Sequence, residues 1–470
     1  MVQRYFIFTA DRRVLALLAG ILVLAAAVYG QGYFKKTGER RFFSGFLFLF
    51  LLTVLGAVFS ALWLGFLIFI ELSTVALFIL IAMKERNVAF RYLAVQLAGA
   101  AFLLAGIAGA GIKGPVLFGP VQPPFFPLLL AGLGVKSALL GLHFWLPEAH
   151  GKSPAPVSAL LSGIAVKTGV FGLLLLTGGA YVPSLSAAGA AMALWGAFQA
   201  LLQRDVKRLL AYSTISQLGY IVAALGAGGV LSVPAVLYHA VTHGLSKGML
   251  FFCAGILEKA YGTKDFSRLG GAAERLPGTC ILFFIAAASM IGLPGTAGFA
   301  SKALLKASLI DFPLVSACLL VANIGTAMVF CKMSAFAFGG VQKSRYLHSP
   351  ECFRFMNAGT AVLAPLLLFS GFFPGILPAF LGSTGHSFYT VPKCGESLLA
   401  AVCGVFLFLF LKKRLRASAT RVRDIDVMSE RFPNMIGNGA RIVQRLQGGF
   451  LRGYLLTAAL TALILMHLFS

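Results

Sequence analysis

Acidic side chains are scarce in this sequence: 15 aspartates and glutamates stand against 39 lysines and arginines in 470 residues, and charged residues make up only 11% of the chain. So little charge cannot coat a soluble protein of this size. The seven cysteines are scattered, mostly within apolar runs, with neither CxxC nor metal-ligand spacing, which excludes a zinc module or an iron–sulfur centre built on this chain and leaves them as packing residues. No nucleophile constellation is present, and glycine-bearing phrases such as GVKSALLG lack the phosphate-loop pattern. The first apolar run has no small-residue cleavage site after it and reads as a retained helix, not a signal peptide.

What the chain does have is apolar length. Hydrophobic residues make up 59%, with 43 phenylalanines and 53 glycines. The runs are too long and too continuous for the period-two alternation of an outer-membrane barrel, so the fold class is an all-α polytopic membrane protein. Spanning helices are expected near 14–30, 42–59, 61–83, 89–110, 125–145, 155–177, 186–203, 210–227, 231–256, 279–303, 313–338, 356–379, 396–411 and 451–469, about fourteen in all.

The net charge of +24 would suggest nucleic acid in a soluble protein. Here it sorts by side. With loops assigned alternately, one set holds Lys35, Lys36, Arg40, Arg41, Lys84, Arg86, Arg91, Lys152, Arg204, Lys207, Arg208, Lys259, Lys264, Arg268, Arg275, Lys343, Arg345 and the basic residues from Lys412 to Arg452. The other holds only Arg4, Arg12, Arg13, Lys113, Lys306 and Lys393. The first set is therefore expected on the cytoplasmic side of a prokaryotic inner membrane, with both termini outside; no nucleic-acid partner is expected.

A few ionisable residues cannot be assigned to loops: Glu71, Lys136, Lys167, His239, His243, Lys247 and Lys302, with Lys332 nearer a helix end. A charge at the bilayer centre costs roughly 2.5–3.5 kcal/mol on insertion scales, so each needs a partner, water or a function. Glu71 lies near mid-helix and Lys136 sits deep in its apolar run, too deep to reach either surface, so the two are natural partners. A buried Glu–Lys pair can gate proton exchange, the alternative being a salt bridge that docks two helices. Lys167 has no acid nearby in sequence; such a lysine can exchange protons, unless its helix starts late enough for it to reach the surface. His239, His243 and Lys247 share one helix stripe. Two histidines at that spacing can hold zinc, but a lysine one turn on repels a cation and no acidic or thiol ligand is at hand; with Thr242 and Ser246 the stripe reads better as a proton wire, against a structural role for at least one histidine. Pro294-Gly295 interrupts the helix ahead of Lys302, and freed backbone at membrane depth is tolerated only against protein or a water-filled cavity. Pro147 punctuates the run carrying Lys136 in a similar way, which suggests two related halves.

The phrases VYGQGYF (28–34), GVKSALLGLHFWLPEAHGKSPAPVSALLSGIAVKTGVFG (134–172), DVKRLLAYSTISQLGY (205–220), YHAVTHGLSKGMLF (238–251) and IGLPGTAGFASKALL (291–305), with Glu71 in its helix, run in family order over roughly residues 15–380. They resemble the antiporter-like proton-channel subunits shared by respiratory complex I, membrane-bound energy-converting hydrogenases and multisubunit sodium/proton antiporters, the phrasing around PEAH being closer to the last two. The resemblance implies two inverted five-helix repeats, each with a broken helix, and a hydrated midplane axis of charge. Position by position, it makes Glu71–Lys136 the glutamate–lysine pair and Lys167 the next relay lysine. His239, His243 and Lys247 become the central relay. Lys302 is the terminal residue, a position where some relatives carry glutamate. Relatives usually have two further helices ahead of VYGQGYF, an even number that preserves orientation and whose loss leaves a face for a partner. The basic segment 412–450 resembles, in position only, the lateral helix of some relatives; Pro433 and Gly437 argue against one continuous helix, and a surface segment on anionic lipid is the alternative.

The expected organisation is an N-terminal helix and loop (1–40), a first repeat (41–178), a second (179–340), C-terminal helices (341–411), the basic segment (412–450) and a final helix (451–470). The expected function is proton translocation within a redox-driven complex, protons passing from Glu71–Lys136 through Lys167 and the histidines to Lys302. No cofactor is expected on this chain; iron–sulfur clusters, a nickel–iron centre, flavin or quinone belong to partner subunits, in a complex of other membrane subunits with a peripheral redox arm. The alternatives are a sodium/proton exchanger subunit without redox chemistry and a non-transporting scaffold.

Overall fold

The computed structural model describes residues 5–110, 124–340, 346 and 353–417. Among these, every element of regular structure is a helix. In chain order those of eight residues or more are α1 (Ala10–Tyr33), α2 (Thr37–Phe59), α3 (Trp63–Ala82), α4 (Arg86–Ala110), α5 (Phe126–Lys136), α6 (Trp145–Lys152) and α7 (Ala155–Thr177). There follow α8 (Pro183–Leu202), α9 (Val206–Ala227), α10 (Ser232–Tyr261), α11 (Pro277–Ile291), α12 (Ala297–Ser308), α13 (Pro313–Phe338), α14 (Arg354–Phe372) and α15 (Val391–Ala417). Eleven of these are long and apolar enough to cross a bilayer. The expected helix over 451–469 and most of the basic segment 412–450 lie outside the described residues; Lys412 to Ala417 continue α15.

The two expected spans that do not form single helices, 125–145 and 279–303, are broken part-way along their length. The 125–145 run stops at Lys136 and restarts at Trp145, so Lys136 is the last residue of a half-helix and not a mid-helix residue. Pro147 is not the interruption: it sits in the first turn of α6, where its missing N–H costs nothing. The chain turns at Ala138, a non-glycine residue with φ of 54°. That conformation costs an L-residue roughly 1–2 kcal/mol. It is fixed from three sides. The Trp145 indole N–H donates to the Val135 carbonyl at 3.0 Å, and the Leu139 N–H to Gly134 at 2.8 Å. On the third side α7 crosses at Gly169, where a Cβ would stand 2.6 Å from the Ser137 nitrogen. The second break falls where Pro294-Gly295 forecast it, between α11 and α12. Gly292 leaves α11 with φ of 89°, and the Tyr389 hydroxyl accepts from the Gly295 N–H at 3.2 Å while donating to the Gly371 carbonyl at 2.5 Å.

Two successive runs of helices share one order. In α2 to α7 the fourth span is broken and the fifth, α7, carries a π-turn at Leu161–Ala165; in α8 to α13 the fourth is again broken and the fifth, α13, carries a π-turn at Ser334–Phe338. Helices α8 and α9 pack along a seam of small residues. A Cβ at Gly189, Gly196, Gly219 or Gly226 would come within 2.4 Å of the facing backbone. Such close backbone approach holds helix pairs together where lipid leaves no hydrophobic driving force. The pair is anchored at the start of α9 by Asp205, whose side chain accepts from the Lys207 and Arg208 N–H groups at 2.8 and 3.0 Å.

Gly298 is the position where added volume is least tolerated, because a Cβ there would lie 1.6 Å from the Ser289 carbonyl oxygen; Gly278 has open space around it. Gly298→Ala is therefore expected to lower the thermal midpoint of the detergent-solubilised protein by an amount corresponding to at least about 1 kcal/mol, with Gly278→Ala unchanged or raised. Equal midpoints would show that the second break is not closed by this contact.

Candidate functional site

The buried ionisable residues fall into two clusters joined by α7. In the first, the Lys136 ammonium stands 2.6 Å from the Glu71 carboxylate and donates to Thr74 Oγ1 at 3.1 Å. Thr74 lies three residues after Glu71 on α3, so both acceptors meet the end of α5 from one helix face. Lys136 is 4% exposed. Its position at the end of a half-helix places the cation where the last carbonyls of α5 are free to favour it.

The second cluster begins with Lys167, just past the π-turn in α7. Its ammonium donates to the Ser162 carbonyl, which lies inside that turn, and stands 2.6 Å from His243 Nδ1. The acceptor nitrogen of His243 thus faces Lys167. The His243 and His239 rings lie one turn apart on α10, with centroids 6.4 Å apart and planes at 15°. His239 Nδ1 is 3.1 Å from Ser301 Oγ on α12, and Nε2 is 3.1 Å from Gln217 Oε1 on α9. Gln217 in turn donates from Nε2 to Thr326 Oγ1 at 3.2 Å, which leaves its carbonyl oxygen for His239 and makes His239 Nε2 the protonated nitrogen. Tyr220 stacks beside His239 at 5.9 Å and lies under the Lys302 ammonium at 5.4 Å. Lys302 donates to Met290 and Ile291 carbonyls at 2.5 and 3.2 Å, freed at the end of α11, and to Asn323 Oδ1 at 2.5 Å. A cavity of about 640 Å³ runs outward from Lys302 and Asn323 past Lys306 and Glu396, which pair with each other.

The expected stripe of His239, His243 and Lys247 divides. Lys247 turns away toward α9, donating to the Leu210 carbonyl at 3.0 Å and to Ser213 Oγ, with its ammonium over Phe330. Lys332 caps the end of α8 through the Leu201 and Gln203 carbonyls at 2.5 and 2.8 Å. Among the described residues no group of three or more His, Cys, Asp or Glu could hold a metal ion.

Two buried groups, Lys207 and His150, and the half-buried Glu258 stand outside the residues expected from sequence. Lys207, assigned by pattern to a cytoplasmic loop, is fully buried and pairs with Glu258 at 2.5 Å. Glu258 lies beyond the expected end of its helix at 256, but α10 runs on to Tyr261 and carries it inward. His150 is fully buried, stacked on Phe251 at 4.7 Å, and neither ring nitrogen has a protein hydrogen-bond partner. Only the PEAH phrase could have drawn attention to it; the side chains around it come from other helices.

The loops that sequence assigned to the basic side meet on one face. Lys84 pairs with Glu258 at 2.7 Å, Lys264 with Asp205 at 3.0 Å, Lys259 donates to the Tyr33 carbonyl and Lys264 to that of Gly151. These contacts join the ends of α1, α3, α6 and α10 and the start of α9.

The family model for the transmembrane part of NADH:quinone oxidoreductase and Mrp antiporter subunits matches residues 123–330. NADH-quinone oxidoreductase subunit N of Desulforudis audaxviator is 35% identical over 354 residues, covering 69% of this chain and 70% of that protein. Hydrogenase-4 component B of Escherichia coli is 28% identical over 75% of this chain and 59% of its own length. A chain of the Mrp complex from Dietzia sp. superposes over 98% of this chain and 55% of its own, with a TM-score of 0.80 and 25% identity. The chain thus spans between half and two thirds of the hydrogenase and Mrp chains.

Removing one member of a buried ion pair leaves the other uncompensated, at a cost of roughly 3–5 kcal/mol, whereas replacing both with apolar groups is often neutral. Lys136→Met is accordingly expected to lower the thermal midpoint more than the double variant Lys136→Met with Glu71→Leu. Additive losses in a double-mutant cycle would show that the two groups are not coupled.

Proposed function

The chain belongs to the NADH:quinone oxidoreductase/Mrp antiporter transmembrane family, and from that membership and its buried charges we propose that it is a proton-translocating membrane subunit of a larger complex. The observation that carries the proposal is the contact of Lys167 with His243 at 2.6 Å at membrane depth, continued by His239 and Ser301 to the helix that holds Lys302. An imidazole accepts at one nitrogen and donates from the other. The row of Lys167, His243, His239 and Lys302 therefore moves a proton by successive short transfers, with water completing the gaps. Glu71–Lys136 acts as the switch. When the pair is closed, Lys136 is held at Glu71; when it opens, the cation is released toward α7, which touches the Lys136 backbone at Gly169, and the field at Lys167 changes. Lys302 is the release end, beside the cavity that reaches Lys306 and Glu396. We read the shared helix order of α2 to α7 and α8 to α13 as two inverted repeats.

Moving one charge against 100 mV requires about 2.3 kcal/mol. In this reading the work comes from partners: other membrane subunits and a peripheral redox arm carrying iron–sulfur clusters, nickel–iron, flavin or quinone. The likeness to the Mrp chain supports a second reading, exchange of sodium for protons without redox chemistry. Flux that depends on an electron donor selects the first reading; flux that depends on a sodium gradient selects the second. Co-purification in mild detergent identifies the redox partners directly. In the reading proposed, the basic face is cytoplasmic and the complex sits in the inner membrane.

Glu71→Gln and Lys136→Ala are each expected to reduce proton pumping by the reconstituted complex at least tenfold while assembly, followed by size-exclusion profile, stays intact. Pumping at the wild-type rate in either assembled variant contradicts the switch.

A further inference from the structure

We infer that Glu258 is the group through which protons are taken up from the basic face, and that Lys207 and His150 carry them inward to Lys167. The inference rests on the proton-carrying reading above, but it moves the point of uptake away from Glu71. A cavity of about 650 Å³ opens on the basic face, lined by Tyr33, Lys35, Lys36, Glu39, Lys84 and Lys259 among others. Lys84 and Lys259 line this vestibule, and Lys84 bonds directly to Glu258 at 2.7 Å. The carboxylate has a wet side and a dry side. Lys84 is 34% exposed, Glu258 19%, and Lys207, on the far oxygen at 2.5 Å, is not exposed at all. A structural surface ion pair between Lys84 and Glu258 does not need a second, wholly buried lysine behind it, whose desolvation must be offset by Glu258 and the Ser153 carbonyl.

The inward direction is marked by what Lys207 meets next. Its ammonium also donates to the Ser153 carbonyl at 3.1 Å, at the end of α6, the short helix that carries His150. His150 is buried on every side, makes only a loose approach to the Ser158 backbone, and lies within electrostatic reach of Lys207, Lys167 and Lys247. Both of its ring nitrogens, and His243 Nε2, lack a protein partner. Buried polar atoms without protein partners are satisfied by water, and His243 is itself within reach of His150. These three nitrogens mark the hydrated stretch between Lys207 and the Lys167–His243 contact.

The transfer balances as one proton in for one proton out. Lys207 gives its proton through water to His150; with that cation discharged, the Glu258 carboxylate takes a proton from water in the vestibule and hands it to the neutral Lys207 amine, which restores the ion pair. His150 passes its proton through water to His243, or to Lys167 after that ammonium has given its own proton on toward His239 and Lys302, and no bond other than O–H or N–H changes.

The test uses the full complex reconstituted in liposomes, with inward proton flux read by a pH-sensitive dye. Glu258→Gln is expected to reduce flux at least tenfold, Glu258→Asp to retain most of it, and Glu258→Ala to regain flux when formate, a small weak acid able to enter the vacated space, is added. Restoration by formate is a result that a purely structural role of Glu258 does not produce. Wild-type flux in Glu258→Gln, or a loss that neither aspartate nor formate reverses, overturns the proposal. If the Glu258 variants do not assemble, His150→Phe decides: it keeps the stacking on Phe251, and flux at the wild-type rate in it overturns the proposal while a tenfold loss upholds it. Lys302→Met in the same preparation separates the two levels. Loss there with normal flux in the Glu258 and His150 variants refutes this uptake route alone, and normal flux in all of them refutes the proton-carrying reading.

Discussion

An ammonium group inside hydrocarbon needs acceptors, and an unbroken helix offers almost none, because its carbonyls are already bonded along its own axis. The structure depends on how this is solved. Lys302 is held by the Met290 and Ile291 carbonyls at the broken end of α11. Lys167 is held by Ser162 within the π-turn of α7, Lys207 by Ser153 at the end of α6, and Lys332 by Leu201 and Gln203 at the end of α8. Each of these four lysines finds oxygen at a helix end or a π-turn; Lys247 differs, held by the Leu210 carbonyl and Ser213 Oγ within the unbroken α9. π-Turns and broken helices at membrane depth are thus part of the charge machinery and not defects of the bundle.

The same interruptions set how firmly each group is held. A half-helix end such as that of α5 at Lys136 favours a cation by its free carbonyls, in addition to the Glu71 carboxylate. The histidines are held by side chains instead: His239 and His243 stack one turn apart on α10, and Gln217 and Ser301 fix the ring of His239. In the function proposed above, the lysines switch and the imidazoles conduct.

Much of this was legible in the sequence. The apolar runs locate the spans, Pro294-Gly295 locates the second break, and the isolation of Glu71, Lys136, Lys167, His239, His243 and Lys302 in apolar surroundings marks them as residues that the structure places in two clusters. The first break was expected at Pro147 and falls earlier, because Ala138 gives no signal: its left-handed conformation is imposed by Trp145 and by the crossing of α7, neither of which is local in sequence. Lys207 looked like one more loop cation because charge counting does not distinguish a lysine facing water from one turned inward onto Glu258. His150 stayed hidden because a histidine's role is set by what it lacks, and lack of a partner is a three-dimensional fact.

The central claim is that buried lysines and histidines border a continuous wet path. A density map of the assembled complex at about 2 Å, in which ordered waters are visible, tests it most directly. Water is expected at both ring nitrogens of His150, at His243 Nε2, and between Lys136 and Lys167. Protein atoms closed against those nitrogens, with no water between the two clusters, would contradict it.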